Sequence, residues 1–146
     1  MNKDLQIAKR TVQSEIQALK KLSSSFNRSS HFSNAVNLLS KMKGKCLVVG
    51  VGKSYLVSLK VSATLSSLGT PSVAFSANDL QHGGLGAVQK NNDALLIFSV
   101  SGESSELNSI LRYANRHNIP IVGVSCKATS MLLRYSTIKI LLPKVE

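Results

Sequence analysis

The residues best suited to chemistry follow one short apolar stretch, in the run Ser99-Val-Ser-Gly-Glu-Ser-Ser-Glu106. Small side chains and a glycine let backbone N–H groups approach an anion, and a helix that begins here turns its positive end toward it. We interpret this run as a phosphate cradle in which Glu106, one turn into the helix, is placed to act as a base. The alternative is a capping box, because serines and a glutamate ahead of an apolar run are an ordinary helix start.

A second candidate lies after another apolar stretch, in Val49-Gly-Val-Gly-Lys-Ser54. Leu47 stands where a Walker loop needs its first glycine, and Tyr55 stands where a dinucleotide fingerprint needs its third, which argues against ATP and NAD. A tight strand-to-helix turn remains, and it would present Lys53 and Ser54 to an anionic ligand. A surface lysine in an ordinary turn is the alternative.

The remaining reactive side chains give weaker signals. His82 precedes three glycines, in a segment predicted as a loop where backbone can approach a small ligand, although a single His is more often structural. No spacing of His, Cys or carboxylates predicts a metal site, and no G-x-S-x-G motif indicates a serine hydrolase. Cys46 and Cys126 lie in apolar runs and are expected to be reduced, buried thiols.

The elements that would position these residues follow from residue 45 onward, where short apolar runs alternate with helical patterns. The predicted strands are 46–49, 72–75, 94–99, 120–125 and 138–142. Their central runs are apolar at nearly every position, as in parallel strands covered on both faces. Segments 54–68 and 104–117 are predicted crossover helices, and 76–92 is predicted as irregular, with a short helix at most. A three-layer α/β/α sandwich follows, with both candidate loops at the carboxyl ends of strands, at a topological switch point.

Two helices are predicted before the first strand. Apolar residues from Leu5 to Phe26 recur at steps of three or four, which predicts a long amphipathic helix that needs a packing surface. A second helix is predicted from Phe32 to Met42. We therefore expect one domain over residues 1–146, with leading helices in 1–44 and an α/β core in 45–146.

The net charge of +11 is concentrated in the first sixty residues, which carry eleven basic and two acidic side chains. These bases are interleaved with apolar residues and accompany no aromatic stacking motif, which argues against nucleic acid and favours a solvated face that attracts phosphorylated metabolites. The amino terminus lacks the apolar block of a signal peptide, and no apolar run is long enough to span a bilayer. The sequence therefore predicts a cytoplasmic protein that does not insert into membranes.

Four segments together resemble a sugar isomerase (SIS) domain and, more narrowly, the isomerase domain of the D-arabinose-5-phosphate isomerase family. They are Gly50-Val-Gly-Lys-Ser54, Gly69-Thr-Pro-Ser72, His82-Gly-Gly-Leu-Gly86 and Ser99–Glu106. The resemblance covers nearly the whole chain and implies a flavodoxin-like fold with a five-stranded parallel sheet. It implies interconversion of D-ribulose 5-phosphate and D-arabinose 5-phosphate through a cis-enediol, without a cofactor, which supplies 3-deoxy-D-manno-octulosonate for lipopolysaccharide. It also implies a homotetramer built from dimers; a non-catalytic phosphosugar sensor is the alternative function.

The resemblance also implies roles for individual residues. Lys53 and Glu106 match catalytic residues and His82 matches one that lines the sugar site. We assign proton transfer to Glu106, stabilisation of oxygen charge to Lys53, and ring opening or hydroxyl positioning to His82. The residues expected to bind phosphate or sugar are Ser54, Gly69, Thr70, Ser99, Ser101, Gly102, Ser104 and Ser105.

This chain departs from the family pattern at several positions. Tyr55 replaces a Gly, Gly84 replaces an Asp, and Ser76 replaces a His that is associated with inhibitory zinc binding, so weaker zinc sensitivity is expected. The family continues beyond the last predicted strand with a further catalytic Glu, a catalytic His and regulatory modules. We therefore expect this sequence to be truncated at its carboxyl end and to lack the regulatory modules.

Overall fold

The computed structural model describes residues 2–26 and 29–144. Its strands are β1 Cys46–Gly50, β2 Ser72–Ser76, β3 Ala94–Phe98, β4 Ile121–Ser125 and β5 Ile138–Leu141. Its α-helices are α1 Lys3–Ser25, α2 His31–Lys41, α3 Lys53–Ser67, α4 Ala77–Gln81, α5 Leu107–Arg116 and α6 Met131–Tyr135. All five predicted strands are present, and each begins and ends within one residue of its predicted bounds.

The strands form one parallel sheet in the order β2-β1-β3-β4-β5. At the carboxyl end of β1, Gly50 pairs with Ser76 of β2 on one side and with Phe98 of β3 on the other. The chain therefore leaves β1 toward one edge of the sheet and later returns to β1's other side to build β3, β4 and β5. The junction of β1 and β3 is the switch point at which sheets of this order bind ligands.

Helices cover both faces of the sheet, which confirms the predicted three-layer sandwich. Alternate residues of each strand point to opposite faces. On one face, Leu47 and Ile97 pack in a cluster with residues of α4, α5 and α6, among them Leu80 and Ile110. On the other face, residues of α2 and α3 pack over Val48 and its neighbours. Strands β1 and β4 are buried throughout, which explains their uninterrupted apolar runs.

The two leading helices differ in how they contact the sheet. Helix α2 buries Ala35 and packs over β5, so it belongs to one layer of the sandwich. Helix α1 has no buried residue, and its predicted apolar face remains exposed, with Leu5 and Leu19 at 56% and 64% of their full exposure. The packing surface that its pattern predicts is not supplied by the described part of this chain. No helix there is long and apolar enough to cross a membrane.

Of three short elements, helix α4 agrees with the short helix allowed for in the sequence-based expectation, whereas the 3₁₀ turn at Gly84–Ala87 and helix α6 differ from it. Helix α4 and a 3₁₀ turn at Gly84–Ala87 occupy most of the segment predicted as irregular, and the turn includes part of the glycine-rich loop. The Ser76 hydroxyl accepts a hydrogen bond from the Asp79 N–H and starts α4, which compensates for the weak helix propensity of this segment. Helix α6, between β4 and β5, was not predicted; Ser130 caps it in the same way by accepting from the Leu133 N–H.

A buried ionic contact joins β1 to β3 at the amino-terminal edge of the sheet. Asp93 is 2% exposed and accepts hydrogen bonds from the backbone N–H groups of Lys45 and Gln89, both at 2.8 Å. The Lys45 ammonium lies 2.9 Å from the second carboxylate oxygen of Asp93 and 3.0 Å from the Ala87 carbonyl. Burial alone raises the pKa of Asp93, but these hydrogen bonds and the Lys45 charge outweigh it and hold the pKa below its ordinary value.

Candidate functional site

The turn after β1 has the tight strand-to-helix geometry predicted for it. A Cβ atom added at Gly50 would lie 2.6 Å from the Tyr55 nitrogen, so only glycine lets the start of α3 pass this close to the strand. Lys53 is the first residue of α3 and is exposed, while Ser54 is half-buried. Within the described residues, the Lys53 ammonium forms no ion pair. It is therefore available to an anionic ligand.

The loop after β3, residues 99–106, is held in a defined shape by its own hydroxyl groups. The buried Ser99 hydroxyl accepts from the Gly102 N–H at 3.0 Å, and the Ser101 hydroxyl accepts from the Glu103 N–H at 3.3 Å. Gly102 has a φ of 64°, and a Cβ there would lie 2.5 Å from the Cβ of Ser130. Gly102 is therefore required both for its backbone conformation and for its close approach to the next loop.

The end of this loop offers hydrogen-bond donors to an anion. Helix α5 begins at Leu107, and among the described residues the backbone N–H groups of Ser104, Ser105 and Glu106 meet no protein acceptor. These donors lie at the positive end of the helix dipole, the arrangement that binds phosphate in many proteins. The arrangement fits the predicted phosphate cradle, and phosphate binding by Ser99, Ser101, Gly102, Ser104 and Ser105 stays a prediction.

The two carboxylates of the loop are placed differently from the sequence-based expectation. Glu106 is not one turn into the helix: it immediately precedes α5, half-buried, and its Oε2 lies 3.3 Å from the Ser105 hydroxyl. Glu106 therefore occupies the N-cap position of α5. The capping-box alternative is wrong, because no side chain caps the start of α5.

Glu103 instead forms an ion pair across to the loop that follows β4, with its Oε1 2.8 Å from the Lys127 ammonium. The hydrogen bond from Lys127 is the main reason that the pKa of Glu103 lies below its ordinary range. Lys127 was not identified from the sequence. It follows the strand next to β3, so the order of strands in the sheet is the signal that would have found it.

The carboxyl ends of three adjacent strands bring the predicted catalytic residues to one edge of the sheet. Lys53 follows β1, Glu106 follows β3 and His82 follows β2 at the end of α4. His82 is exposed, and the preceding residue, Gln81, accepts a hydrogen bond from the Ser109 hydroxyl of α5 at 3.1 Å. Helix α4 is thereby tied to the helix that carries the phosphate cradle.

The structure does not bring Gly69 and Thr70 to this site. They precede β2 and therefore lie at the amino-terminal edge of the sheet, one strand length away, which is about 15 Å for five residues. Their N–H groups donate to the Ser66 and Leu65 carbonyls and end α3. Their observed role in this chain is to terminate a helix.

No group of three His, Cys, Asp or Glu side chains in residues 2–26 and 29–144 is arranged to hold a metal ion. Both cysteines are free thiols, but only Cys46 is buried as expected, since Cys126 follows the end of β4 and is half-buried. The chemistry offered by the site is that of an ammonium group, a carboxylate, an imidazole and a set of hydroxyl and N–H donors. Such a set can bind a phosphate, stabilise oxygen charge and move a proton.

The fold and this edge of the sheet define a doubly wound α/β domain with a loop of free N–H donors at its switch point. A sequence model of the SIS domain matches residues 38–146, and the chain belongs to the SIS domain family. It is 31% identical over 141 residues to the arabinose 5-phosphate isomerase KdsD of Francisella tularensis, covering 94% of this chain and 42% of that protein. It is 34% identical over 140 residues to the uncharacterized protein RP505 of Rickettsia prowazekii, covering 96% of this chain and 43% of that protein. The chain thus spans less than half the length of these relatives.

Solved structures agree with this family assignment. Protein c3406 of E. coli CFT073, in complex with arabinose 5-phosphate, superposes with a TM-score of 0.87 at 28% identity, covering 100% of this chain and 77% of that one. The NanR protein of Vibrio vulnificus, complexed with ManNAc-6P, superposes with a TM-score of 0.85 at 21% identity, covering 96% and 52%. The second likeness concerns the fold alone. The chain is therefore a SIS domain related to sugar-phosphate isomerases.

Proposed function

We propose that this domain is an aldose–ketose isomerase that interconverts D-ribulose 5-phosphate and D-arabinose 5-phosphate. The observation that carries the proposal is the placement of Glu106 beside the free N–H groups of residues 104–106, at the strand end next to the one that presents Lys53. A ligand whose phosphate occupied the cradle would have its carbon chain near both side chains. The relation to arabinose 5-phosphate isomerases supports this choice of substrate.

The chemistry requires few groups. In the open-chain aldose, a base removes the proton from C2, the electron pair forms the C1–C2 double bond of an enediol, and the carbonyl oxygen gains negative charge. The charged oxygen on C1 takes up a proton, the C2 hydroxyl gives one up to become the new carbonyl, and return of the first proton to C1 gives the ketose. In our proposal Glu106 carries the proton between the two carbons, the Lys53 ammonium stabilises the developing oxygen charge, and His82 assists ring opening.

The proposal extends to the wider setting that the family resemblance implies. The domain would act in the cytoplasm as part of a homotetramer, and arabinose 5-phosphate would supply 3-deoxy-D-manno-octulosonate for lipopolysaccharide. The further catalytic Glu and His of the family lie beyond the last strand, and residues 145–146 lie outside the described part of the chain. The activity test therefore applies to this chain as it stands and to a version extended with a relative's carboxyl-terminal segment.

The decisive test follows the conversion of D-ribulose 5-phosphate by NMR in the wild type and in Glu106→Gln. Loss of the base should lower kcat by about 10²–10⁴-fold, while binding of the sugar phosphate is retained or tightened, because the donors of the cradle remain and a nearby negative charge is removed. Glu15→Gln, the same change on exposed α1, serves as the matched control and should retain full turnover. Undiminished turnover by Glu106→Gln would refute the assigned role.

A phosphosugar sensor is the second candidate, and a fold-level observation favours it. Both NanR and the sugar isomerase domain of an RpiR transcription factor share this fold, the latter with a TM-score of 0.76 at 18% identity. A sensor needs the phosphate cradle but not Lys53 and Glu106 together. Saturable sugar-phosphate binding without turnover, in both the short and the extended chain, would favour the sensor.

A further inference from the structure

The loop after β4, residues 126–130, together with the last residue of β4, lies directly against the phosphate cradle. The Val100 carbonyl of the cradle accepts two hydrogen bonds, one from the Cys126 N–H and one from the Ser125 hydroxyl, both at 3.0 Å. The Gly102 carbonyl accepts another from the Leu132 N–H at 3.0 Å. Two peptide groups of the cradle are therefore fixed from one side.

This anchoring determines where the N–H groups of the cradle point. A trans peptide turns its C=O and its N–H in opposite directions, and no cis peptide is present in the described residues. Because the Val100 carbonyl faces the β4 side, the Ser101 N–H faces away from it. Among the described residues this N–H meets no protein acceptor.

The Ser125 hydroxyl is well placed to anchor the Val100 carbonyl. Ser125 is 1% exposed, and its hydroxyl also accepts from the Lys127 N–H at 3.3 Å, so its orientation is set on both sides. Lys127 in turn binds Glu103 of the cradle at 2.8 Å. Ser125 and Lys127 thus form a continuous connection from the buried end of β4 to the exposed rim of the cradle.

We propose that Ser125 is a positioning residue of the phosphate site, with a hydroxyl that holds the Val100–Ser101 peptide so that the Ser101 N–H donates to the ligand phosphate. The Glu103–Lys127 ion pair secures the same loop at its rim. This inference rests on the anion site of the proposed function and does not require that the site be catalytic.

The test compares two buried serines that each donate to a backbone carbonyl. Ser125→Ala removes one of the two hydrogen bonds that hold the Val100 carbonyl and leaves the one from the Cys126 N–H, whereas Ser136→Ala removes a 2.7 Å hydrogen bond to the Leu132 carbonyl and no direct contact with the cradle. Dissociation constants for D-ribulose 5-phosphate are measured by calorimetry, and KM and kcat by NMR. Because one donor to the phosphate loses its alignment, Ser125→Ala should raise both the dissociation constant and KM about fivefold and keep kcat within twofold of the wild type. Ser136→Ala should bind the sugar phosphate as the wild type does.

The variant Glu103→Gln is an independent test of the proposal, because Glu103 lies on the protein surface and its replacement should not impair folding. Removal of a carboxylate beside an anion site would, by charge alone, tighten phosphate binding. Loss of the tie to Lys127 predicts the opposite, a weaker affinity. A tighter affinity in Glu103→Gln, or equal effects of the two serine variants, would overturn the proposal.

The outcomes separate this inference from the proposed function. Binding without turnover in both the short and the extended chain, weakened in Ser125→Ala and Glu103→Gln, supports the positioning role and refutes the isomerase. Turnover that neither variant affects supports the isomerase and refutes the positioning role. Failure of the wild type to bind sugar phosphate refutes both.

Discussion

Replacement of Asp93 by Asn tests whether the ionic contact at the amino-terminal edge holds the sheet together. Asn can still accept from the Lys45 N–H, but its amide NH₂ would face the Gln89 N–H and the Lys45 ammonium, which are both donors. Each lost hydrogen bond to a charged group costs about 1.5–3 kcal/mol. The ammonium is reached partly by solvent, so we expect a total loss of about 3 kcal/mol in the free energy of unfolding.

The assay is urea unfolding followed by circular dichroism at pH 7, with Asp4→Asn on exposed α1 as the matched control. Asp4→Asn should cost less than about 0.5 kcal/mol. For a domain of this size the Asp93→Asn loss corresponds to a fall in Tm of about 6–12 °C. A loss equal to that of the control would show that the contact contributes nothing to stability and would refute the reasoning.

The pH dependence provides a second check on the same residue. The pKa of Asp93 is lowered in the folded chain, so its contribution is present above the pKa of the unfolded state, about 3.9, and is lost as pH falls through the lower folded value. The difference in stability between wild type and Asp93→Asn should therefore stay constant from pH 7 to about 5 and shrink below about 4. A constant difference down to pH 3 would contradict this assignment.

Two further predictions concern the strand that joins both edges. Burial, and then the nearby Asp93 charge, raise the pKa of Cys46 to about 12. In the variant Cys126→Ser, a disulfide reagent should therefore leave Cys46 unmodified at pH 8 until urea unfolds the chain. Rapid labelling of Cys46 in the folded protein would contradict this prediction. Gly50→Ala would force a Cβ against the start of α3 and should cost about 1–3 kcal/mol with weakened sugar-phosphate binding, measured by thermal unfolding and calorimetry. Gly86→Ala, where a Cβ meets nothing within 4 Å, is its control; equal losses would contradict the steric argument.

The strands could be predicted because their signal is local. Buried parallel strands are apolar at successive positions, and the runs at β1 and β3 are bounded by glycine, serine and charged residues that end them. Short helices carry no such signal. Helix α6 has five residues, too few for an amphipathic period, and it depends on the Ser130 cap and on burial of Leu132 in the core.

The candidate site was predictable in part for the same reason. The runs around Lys53 and Ser99 follow strands directly, so their place at the sheet edge follows from topology. The start of α5 was predicted at residue 104, whereas the helix begins at Leu107. Glu106 has helical backbone angles, φ −62° and ψ −21°, but it precedes the helix. The partnership of Ser125 with Val100 could not be predicted, because it joins residues 25 positions apart through tertiary structure.

The positions of the ionic contact and the candidate site have a consequence for how this sequence can change over time. Asp93 and Lys45 occupy the amino-terminal edge of the sheet, whereas Lys53 and Glu106 occupy the carboxyl-terminal edge. Substitutions at one edge touch few groups that matter at the other. A lineage can therefore alter its ligand through the carboxyl-edge loops while it retains its fold through the amino edge, and an engineer can stabilise the domain without redesigning its chemistry.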